Sequence, residues 1–240
     1  MNDNRPLTIE NRWDILYRDY PDIYEEFGRI PKTPSAITVI NRLFHLKGKT
    51  ILDVGSGTGL SSFDLASYAA RVTGVEPEES MRSIAVKNAA EQKIGNVTFL
   101  PGWSEDLPVE DDSFDMVTAI TLASLYNEEN IAAFAREALR AVKPGGTVLA
   151  LDIAPRWYGG DLAPVILGKA RKLEDETLRD VVLEKLDFRH KDFYNLQDYG
   201  TLDKIIATYG FIFGQAAIDY LRAHHKTTIK WKWRIHYKQA

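Results

Sequence analysis

Apolar positions along the middle of the chain follow two alternating rhythms. Thr50–Val54, Arg71–Val75, Asn96–Leu100, Asp115–Thr121 and Thr147–Ile153 are short aliphatic and β-branched runs with the length of buried strands. Between them, Leu60–Ala70, Glu78–Lys93 and Glu128–Val142 have helical spacing. Glu78–Lys93 carries Met81, Ile84 and Ala85, and Glu128–Val142 is stopped by Lys143-Pro144-Gly145-Gly146. This alternation predicts an α/β fold, a doubly wound, Rossmann-like parallel sheet with helices on both faces.

The flanks break the rhythm. Trp13, Tyr17, Tyr20, Tyr24 and Phe27 fit one helical face interrupted by Pro21, and Ser35–Leu46 predicts a helix with Ile37, Ile40, Leu43 and Phe44 on its apolar side. Beyond Ile153, Trp157-Tyr158-Gly159-Gly160 predicts a loop and Leu162–Leu186 a charged, mostly helical insertion. Leu196–Tyr209 predicts a helix, and Phe211–Tyr220 and Thr227–Tyr237 a pair of strands. The link between those two is too short for a parallel crossover, so the last strand is expected to run antiparallel. The expected organisation is an N-terminal helical lid (1–35), a cofactor-binding core (36–153), a helical insertion or lid (154–195) and a C-terminal helix and hairpin (196–240).

The last predicted strand alternates strictly, with Ile229, Trp231, Trp233, Ile235 and Tyr237 on one face and Lys230, Lys232, Arg234, His236 and Lys238 on the other. The basic side reads either as a surface for an anionic partner or as a solvated face whose lysines discourage edge pairing.

Composition narrows the class. The chain has 240 residues, a formal net charge of −4 and no cysteine. The charge argues against a dedicated nucleic-acid binder, and the missing thiols exclude disulfides, thiolate metal sites and thiolate nucleophiles. No basic-then-apolar leader and no membrane-spanning apolar run is read, so a cytoplasmic protein is the expectation.

The richest chemistry lies in Ile51-Leu52-Asp53-Val54-Gly55-Ser56-Gly57-Thr58-Gly59, a strand that ends in an acid and breaks into a glycine turn opening a helix. Glycine turns let backbone approach a ligand closely, and this place in a doubly wound sheet takes nucleotide-like cofactors. The dinucleotide fingerprint is Gly-x-Gly-x-x-Gly, but here Gly59 comes one residue early and Asp53 stands where it would face a pyrophosphate. Like charges ~4 Å apart repel by about 4 kcal/mol at an effective dielectric of about 20, whereas a sulfonium or ammonium would be attracted. Glu76, ending the second strand, is placed to accept both hydroxyls of a ribose. A ribose plus a cation describes S-adenosylmethionine.

On these residues the chain resembles the class I S-adenosylmethionine-dependent methyltransferases, of the methyltransferase type 11 and ubiquinone/menaquinone-type small-molecule group. The resemblance is carried by Leu52–Gly59, Gly74-Val75-Glu76-Pro77, Gly102–Asp115 and Val142–Gly146 in that order. It implies a seven-stranded sheet of order 3-2-1-4-5-7-6. It also implies that Asp53 and the backbone of Gly55, Ser56, Gly57, Thr58 and Gly59 hold the methionine part, that Glu76 holds the ribose, and that Pro77 and Met81 pack on adenine. Met81 reads equally as helix core. Trp103, Ser104 and Glu105 would meet the adenine edge, and main chain near Ile120 the methionine end. Relatives often have Gly-Asp-Ala where this chain has Gly102-Trp103-Ser104, and indole cannot accept from the adenine amino group.

Methyl transfer needs a nucleophile about 3–3.5 Å from the methyl and no obligatory catalytic residue. Asp152 and His190 are candidate bases, each with an ordinary structural reading beside it; Tyr17, Tyr20, Tyr24, Trp157 and Tyr158 are a candidate lid or a packed aromatic face. Ala119-Ile120-Thr121-Leu122 stands where amino-group methyltransferases carry Asn/Asp-Pro-Pro-Tyr/Phe, and without cysteine a thiolate-based cytosine mechanism is excluded. A small-molecule acceptor is therefore expected, with no membrane partner and no metal; no motif encodes the acceptor's identity or the oligomeric state. The competing functions are a non-catalytic cofactor-binding sensor or partner subunit, an NAD-dependent oxidoreductase, and a nucleic-acid methyltransferase.

Overall fold

The structure, a computed structural model, describes residues 15–16, 19–122, 125, 127–168 and 176–240. Trp13 and Tyr17 lie outside the described residues. The chain divides into two compact units. The larger comprises Ala36–Arg156, the segment ending at Phe193 and Lys232–Ala240; the smaller comprises the segment ending at Ser35, the one beginning at Trp157, and Tyr194–Trp231.

The elements in chain order are α1 (Pro21–Arg29), β1 (Lys32–Thr33), α2 (Ala36–Phe44), β2 (Thr50–Val54), α3 (Leu60–Ala66), β3 (Arg71–Val75), α4 (Glu79–Glu91), β4 (Val97–Leu100), β5 (Phe114–Ile120), α5 (Glu128–Ala141), β6 (Val142–Ile153), α6 (Ala163–Leu167), α7 (Leu178–Lys185), β7 (Arg189–Asp198), α8 (Leu202–Ile205), α9 (Phe211–Phe213), α10 (Gln215–His224) and β8 (Thr228–Gln239). The strand order is β1-β7-β8-β6-β5-β2-β3-β4. Strands β2 to β6 pair in parallel, and β8 lies antiparallel on β6.

The α/β class and the parallel centre are as expected, but the sheet has eight strands rather than seven, and its outer strands come from different residues. Phe211–Tyr220 is not a strand: α9 and α10 occupy it. Its buried positions, with those just upstream, are Ile205, Tyr209, Ile212, Phe213, Ala217 and Leu221, a helical spacing broken at Gly214. The missing strand is β7, placed where the helical insertion and the following helix were expected. In β7 the deeply buried side chains are the polar Asn195 and Gln197, so no apolar alternation announced it.

The larger unit is built around the sheet. Leu52, Val54, Val117, Ala119, Val148 and Ala150 form a buried cluster with Ile131, Phe134, Ala135 and Ala138 of α5 and Val182 and Leu183 of α7. Asn127 caps α5 by accepting from the Asn130 N–H at 2.8 Å. The helix α5 stops at Ala141, just before Lys143-Pro144-Gly145-Gly146; Val142 pairs with Phe114 and Thr147 with Met116, so those four residues bulge from the β5–β6 ladder.

The smaller unit has an aromatic core. Tyr209 packs on Phe213 at 4.4 Å between ring centres and on Trp231 at 6.3 Å, and Tyr158 meets Phe213 edge-on at 5.9 Å. Gln197, fully buried, is satisfied at both ends: it accepts from Trp231 Nε1 at 2.8 Å and donates to the Phe27 carbonyl at 3.0 Å.

Candidate functional site

The first βα turn of the sheet assembles the predicted residues at the carboxyl ends of β2 and β3. The N–H groups of Gly55 and Ser56 both donate to the Val75 carbonyl, at 2.8 and 3.1 Å, which folds the glycine loop back over β3. Gly57 N–H donates to one carboxylate oxygen of Glu76 at 2.9 Å, and Glu78 N–H to the other at 3.0 Å. Glu76 is thereby held, buried, beside the loop.

Two glycines are required by geometry. Gly55 has φ +72°, and a Cβ there would sit 2.1 Å from Leu122 Cδ1; Gly59 has φ +89°, with a Cβ 2.6 Å from the Phe63 ring. Ser56 Oγ is buried and has no hydrogen-bond partner among the described residues. A buried hydroxyl without a partner inside a glycine cradle is the kind of group a ligand satisfies.

Asp53 carries the electrostatics. It is 1% exposed, and its carboxylate accepts from Ser62 Oγ at 2.7 Å and from Thr118 Oγ1 at 2.9 Å. Burial raises its pKa to about 6, against the pull of those two hydroxyls. Among the described residues no cation pairs with it. Ser62 and Thr118 escaped the sequence reading; the sheet register that sets Asp53 opposite Thr118 is what brings Thr118 there.

The remaining predicted positions surround this turn. Pro77 is half-buried, and Met81 is buried on α4. Arg82 Nη1 donates to the carbonyls of Glu76 and Pro77 at 2.8 and 3.2 Å, fixing the start of that helix. Gly102 abuts β3, since a Cβ on it would lie 3.0 Å from Val75 Cγ1, so Trp103-Ser104-Glu105 begins beside the β3 end. Ser104 is buried and donates to Glu105 at 2.7 Å, whereas Trp103 is 57% exposed. The acidic loop that follows is not simply solvated: Arg140 binds Asp111 at 2.7 Å and the carbonyls of Val109 and Leu107 at 2.8 and 3.1 Å. Ile120 ends β5, and Thr121 beyond it has φ +53°, a left-handed conformation uncommon for a β-branched residue and one that often marks functional turns.

The candidate bases have structural partners. Asp152 binds Arg179 Nη1 and accepts from the Ile153 N–H at 2.6 Å; His190 faces Glu184 at 3.0 Å. Of the candidate lid aromatics, Tyr20 is edge-on to Phe211 at 5.2 Å and Trp157 to Tyr194 at 5.4 Å within the smaller unit. Most of the basic side of β8, from Lys232 onward, is paired within the larger unit, while Lys230 lies over the Tyr194 ring in the smaller one. Lys232 and Arg234 bind Asp192 at 2.8 Å, Arg234 and His236 bind Asp180 at 3.1 and 3.0 Å, and Lys238 donates to the Leu186 carbonyl at 2.8 Å. No group of acids or histidines able to hold a metal occurs among the described residues, and none of their helices is long and apolar enough to cross a membrane.

The family model described as methyltransferase domain matches residues 51–146, the stretch from the start of the glycine-loop strand to the end of the β6 bulge. Over these residues the core is similar to that methyltransferase domain family. The domain is 34% identical over 116 residues to the demethylmenaquinone methyltransferase of Lactococcus lactis, covering 47% of this chain and 45% of that protein. It is 36% identical over 113 residues to a ubiquinone biosynthesis O-methyltransferase of Coxiella burnetii, covering 47% of each. The methyltransferase YcgJ of Bacillus subtilis is 33% identical over 102 residues, 42% of this chain and 40% of that protein. The match thus spans less than half the length of these relatives. The YcgJ crystal structure superposes over 85% of this chain and 97% of its own, at a TM-score of 0.58 and 17% identity, a likeness of fold.

Proposed function

We propose that the chain is an S-adenosylmethionine-dependent methyltransferase that acts in the cytoplasm on a small-molecule acceptor. The observation that carries the reading is Asp53, a buried carboxylate without a cation, set under a glycine turn beside a buried ribose-type acid, Glu76. These residues fit the cofactor. Asp53 supplies negative potential for its cationic amino-acid end, and Glu76 accepts from its ribose. Ser56 Oγ and the Gly55–Gly59 and Thr58 main chain contact the methionine part. Pro77, Met81 and Ser104–Glu105 flank the adenine, with Trp103 against its outer face and Ile120 at the methyl end.

When bound, the cofactor supplies an electrophilic methyl and a neutral thioether leaving group. The protein's part is orientation and field. The glycine turn and Glu76 would hold the donor near the ends of β5 and β6, where an acceptor would approach, and Asp53 would supply negative potential to its cationic amino-acid end. Neither Asp152 nor His190 is assigned as a base, because each is engaged by a charged neighbour. The internally paired basic side of β8 favours a small acceptor over nucleic acid.

Release of S-adenosylhomocysteine, assayed against phenol, carboxylate, amine and carbon acceptors, tests the activity. Turnover on one class supports the proposal. Tight cofactor binding with no turnover across all four would favour a sensor or partner subunit instead.

A further inference from the structure

Arg179 belongs to the segment read from sequence only as a charged insertion, yet its guanidinium joins two strand ends of the sheet. Its Nη1 binds the carboxylate of Asp152, near the carboxyl end of β6, and its Nη2 donates to the Leu125 carbonyl, beyond the end of β5, at 3.3 Å. The fork is presented by a firmly set helix start. Thr177 caps α7 in a reciprocal box with Asp180, and Asp180 is anchored to β8 through Arg234 and His236.

The Leu125 side of this tie leads to the glycine loop. Leu125 N–H donates to the Leu122 carbonyl at 3.4 Å, and the Leu122 side chain packs so closely on Gly55 that no Cβ fits between them. Thr121 N–H is held by the Leu151 carbonyl at 2.8 Å, so the backbone leaving β5 is fixed at Thr121 by β6 and at Leu125 by Arg179.

This arrangement is a poor investment if its purpose is stability alone. Arg179 is mostly buried, burial draws its pKa down to about 10, and its Nε has no partner among the described residues. A partly buried ion pair of this kind gives little net stabilisation over an apolar substitute, but a planar guanidinium can fix two acceptors in one geometry as no apolar side chain can.

We propose that Arg179 is a positioning residue, tying the β6 end to the backbone after β5 so that Leu122 is pressed against Gly55 and the cofactor turn keeps its binding geometry. The cofactor part of this inference rests on the reading of the turn as an S-adenosylmethionine site, while the tie itself can be measured without ligand.

The test compares Arg179→Met, Arg179→Lys and a control, Asp115→Asn. Asp115 holds Thr50 and Lys143 near the starts of β2, β5 and β6, at the sheet end opposite the glycine turn. Two quantities are read well below each variant's Tm: amide exchange at Thr121, Leu122 and Leu125 in the ligand-free protein, and calorimetric affinity for S-adenosylhomocysteine. Arg179→Met should speed exchange at Leu122 and Leu125 about tenfold and weaken binding about tenfold. Arg179→Lys, able to keep the Asp152 bond alone, should fall between it and the parent, and stands in for it should Arg179→Met not fold. Asp115→Asn should lower Tm and change neither quantity. Exchange and affinity within twofold of the parent in the Arg179 variants would overturn the proposal, as would equal changes in Asp115→Asn. If the parent itself fails to bind S-adenosylhomocysteine, the cofactor reading falls, and the exchange rates alone decide the tie.

Discussion

Asp53 and Asp180 are each 1% exposed and lie in the same unit, but their surroundings treat charge in opposite ways. Burial would raise both. Around Asp180, the close contact with His236 and the hydrogen bonds from Thr177 reverse that effect and hold the carboxyl well below the usual carboxylate range, and Arg234 adds a hydrogen bond at 3.1 Å. Around Asp53 only two neutral hydroxyls answer, and burial prevails, leaving the group near pKa 6. A buried carboxylate that the fold has fully paired belongs to the scaffold. One that the fold has hydrogen-bonded but not neutralised is fit to receive a cation, and its position under a glycine turn says from where.

The largest effect expected from breaking this contrast is on stability. Asp180→Asn removes the buried carboxylate that Arg234 and His236 share and uncouples the α7 cap, while Arg234 keeps Asp192, so it should cost about 3 kcal/mol and lower Tm by roughly 10 °C in thermal unfolding. Its effect on cofactor affinity should stay within a few-fold. Asp53→Asn should do the reverse. It removes an unpaired buried charge, so Tm at pH 8 should hold or rise, while calorimetric affinity for S-adenosylmethionine falls about a hundredfold, or about 2.7 kcal/mol. A variant that lost stability and kept affinity would place Asp53 with the scaffold.

The two aspartates were unequally legible in the sequence. Asp53 stood out because a strand, an acid and closely spaced glycines are contiguous, and the chemistry of the turn is local. Asp180 did not, because its partners Arg234 and His236 come from β8, 54 and 56 positions away in the chain. The basic residues of β8 looked like a free stripe for the same reason: their acids lie on α7 and β7. The central parallel strands were readable from aliphatic runs, which burial on both faces demands. Strand β7 was not, since polar Asn195 and Gln197 point inward, and neither was the helical character of Phe211–Tyr220, where a short apolar run fits both periods. Ser62, Thr118 and Arg179 reach their partners only through sheet register and helix docking, which no motif encodes.

Smaller effects sharpen the contrast further. Glu76→Gln keeps the shape of the ribose acid but removes its charge and one acceptor. It should weaken S-adenosylmethionine about tenfold by calorimetry and lower Tm by only a few degrees, since one of the Gly57 and Glu78 N–H groups keeps its acceptor and the other loses it. In the ligand-free protein the two aspartates should also pull stability in opposite directions with pH. The raised pKa of Asp53 means that its contribution is full below about pH 4 and is lost as pH rises through about 6. The lowered pKa of Asp180 means that its contribution is present above about pH 4 and is lost as pH falls toward its folded value. Denaturant midpoints across pH 3–8 should therefore show Asp53→Asn gaining on the parent as pH rises through 6, and Asp180→Asn losing ground only as pH rises from 3 to about 4, with a level deficit above that.

The most direct test is calorimetric titration of the parent protein with S-adenosylmethionine and with NAD at pH 8 and pH 5. A cation received by Asp53 requires the ionised carboxylate, so S-adenosylmethionine should bind about tenfold more weakly at pH 5 than at pH 8, and NAD should not bind at either. Tight NAD binding, or S-adenosylmethionine affinity that does not change between the two pH values, would contradict the account.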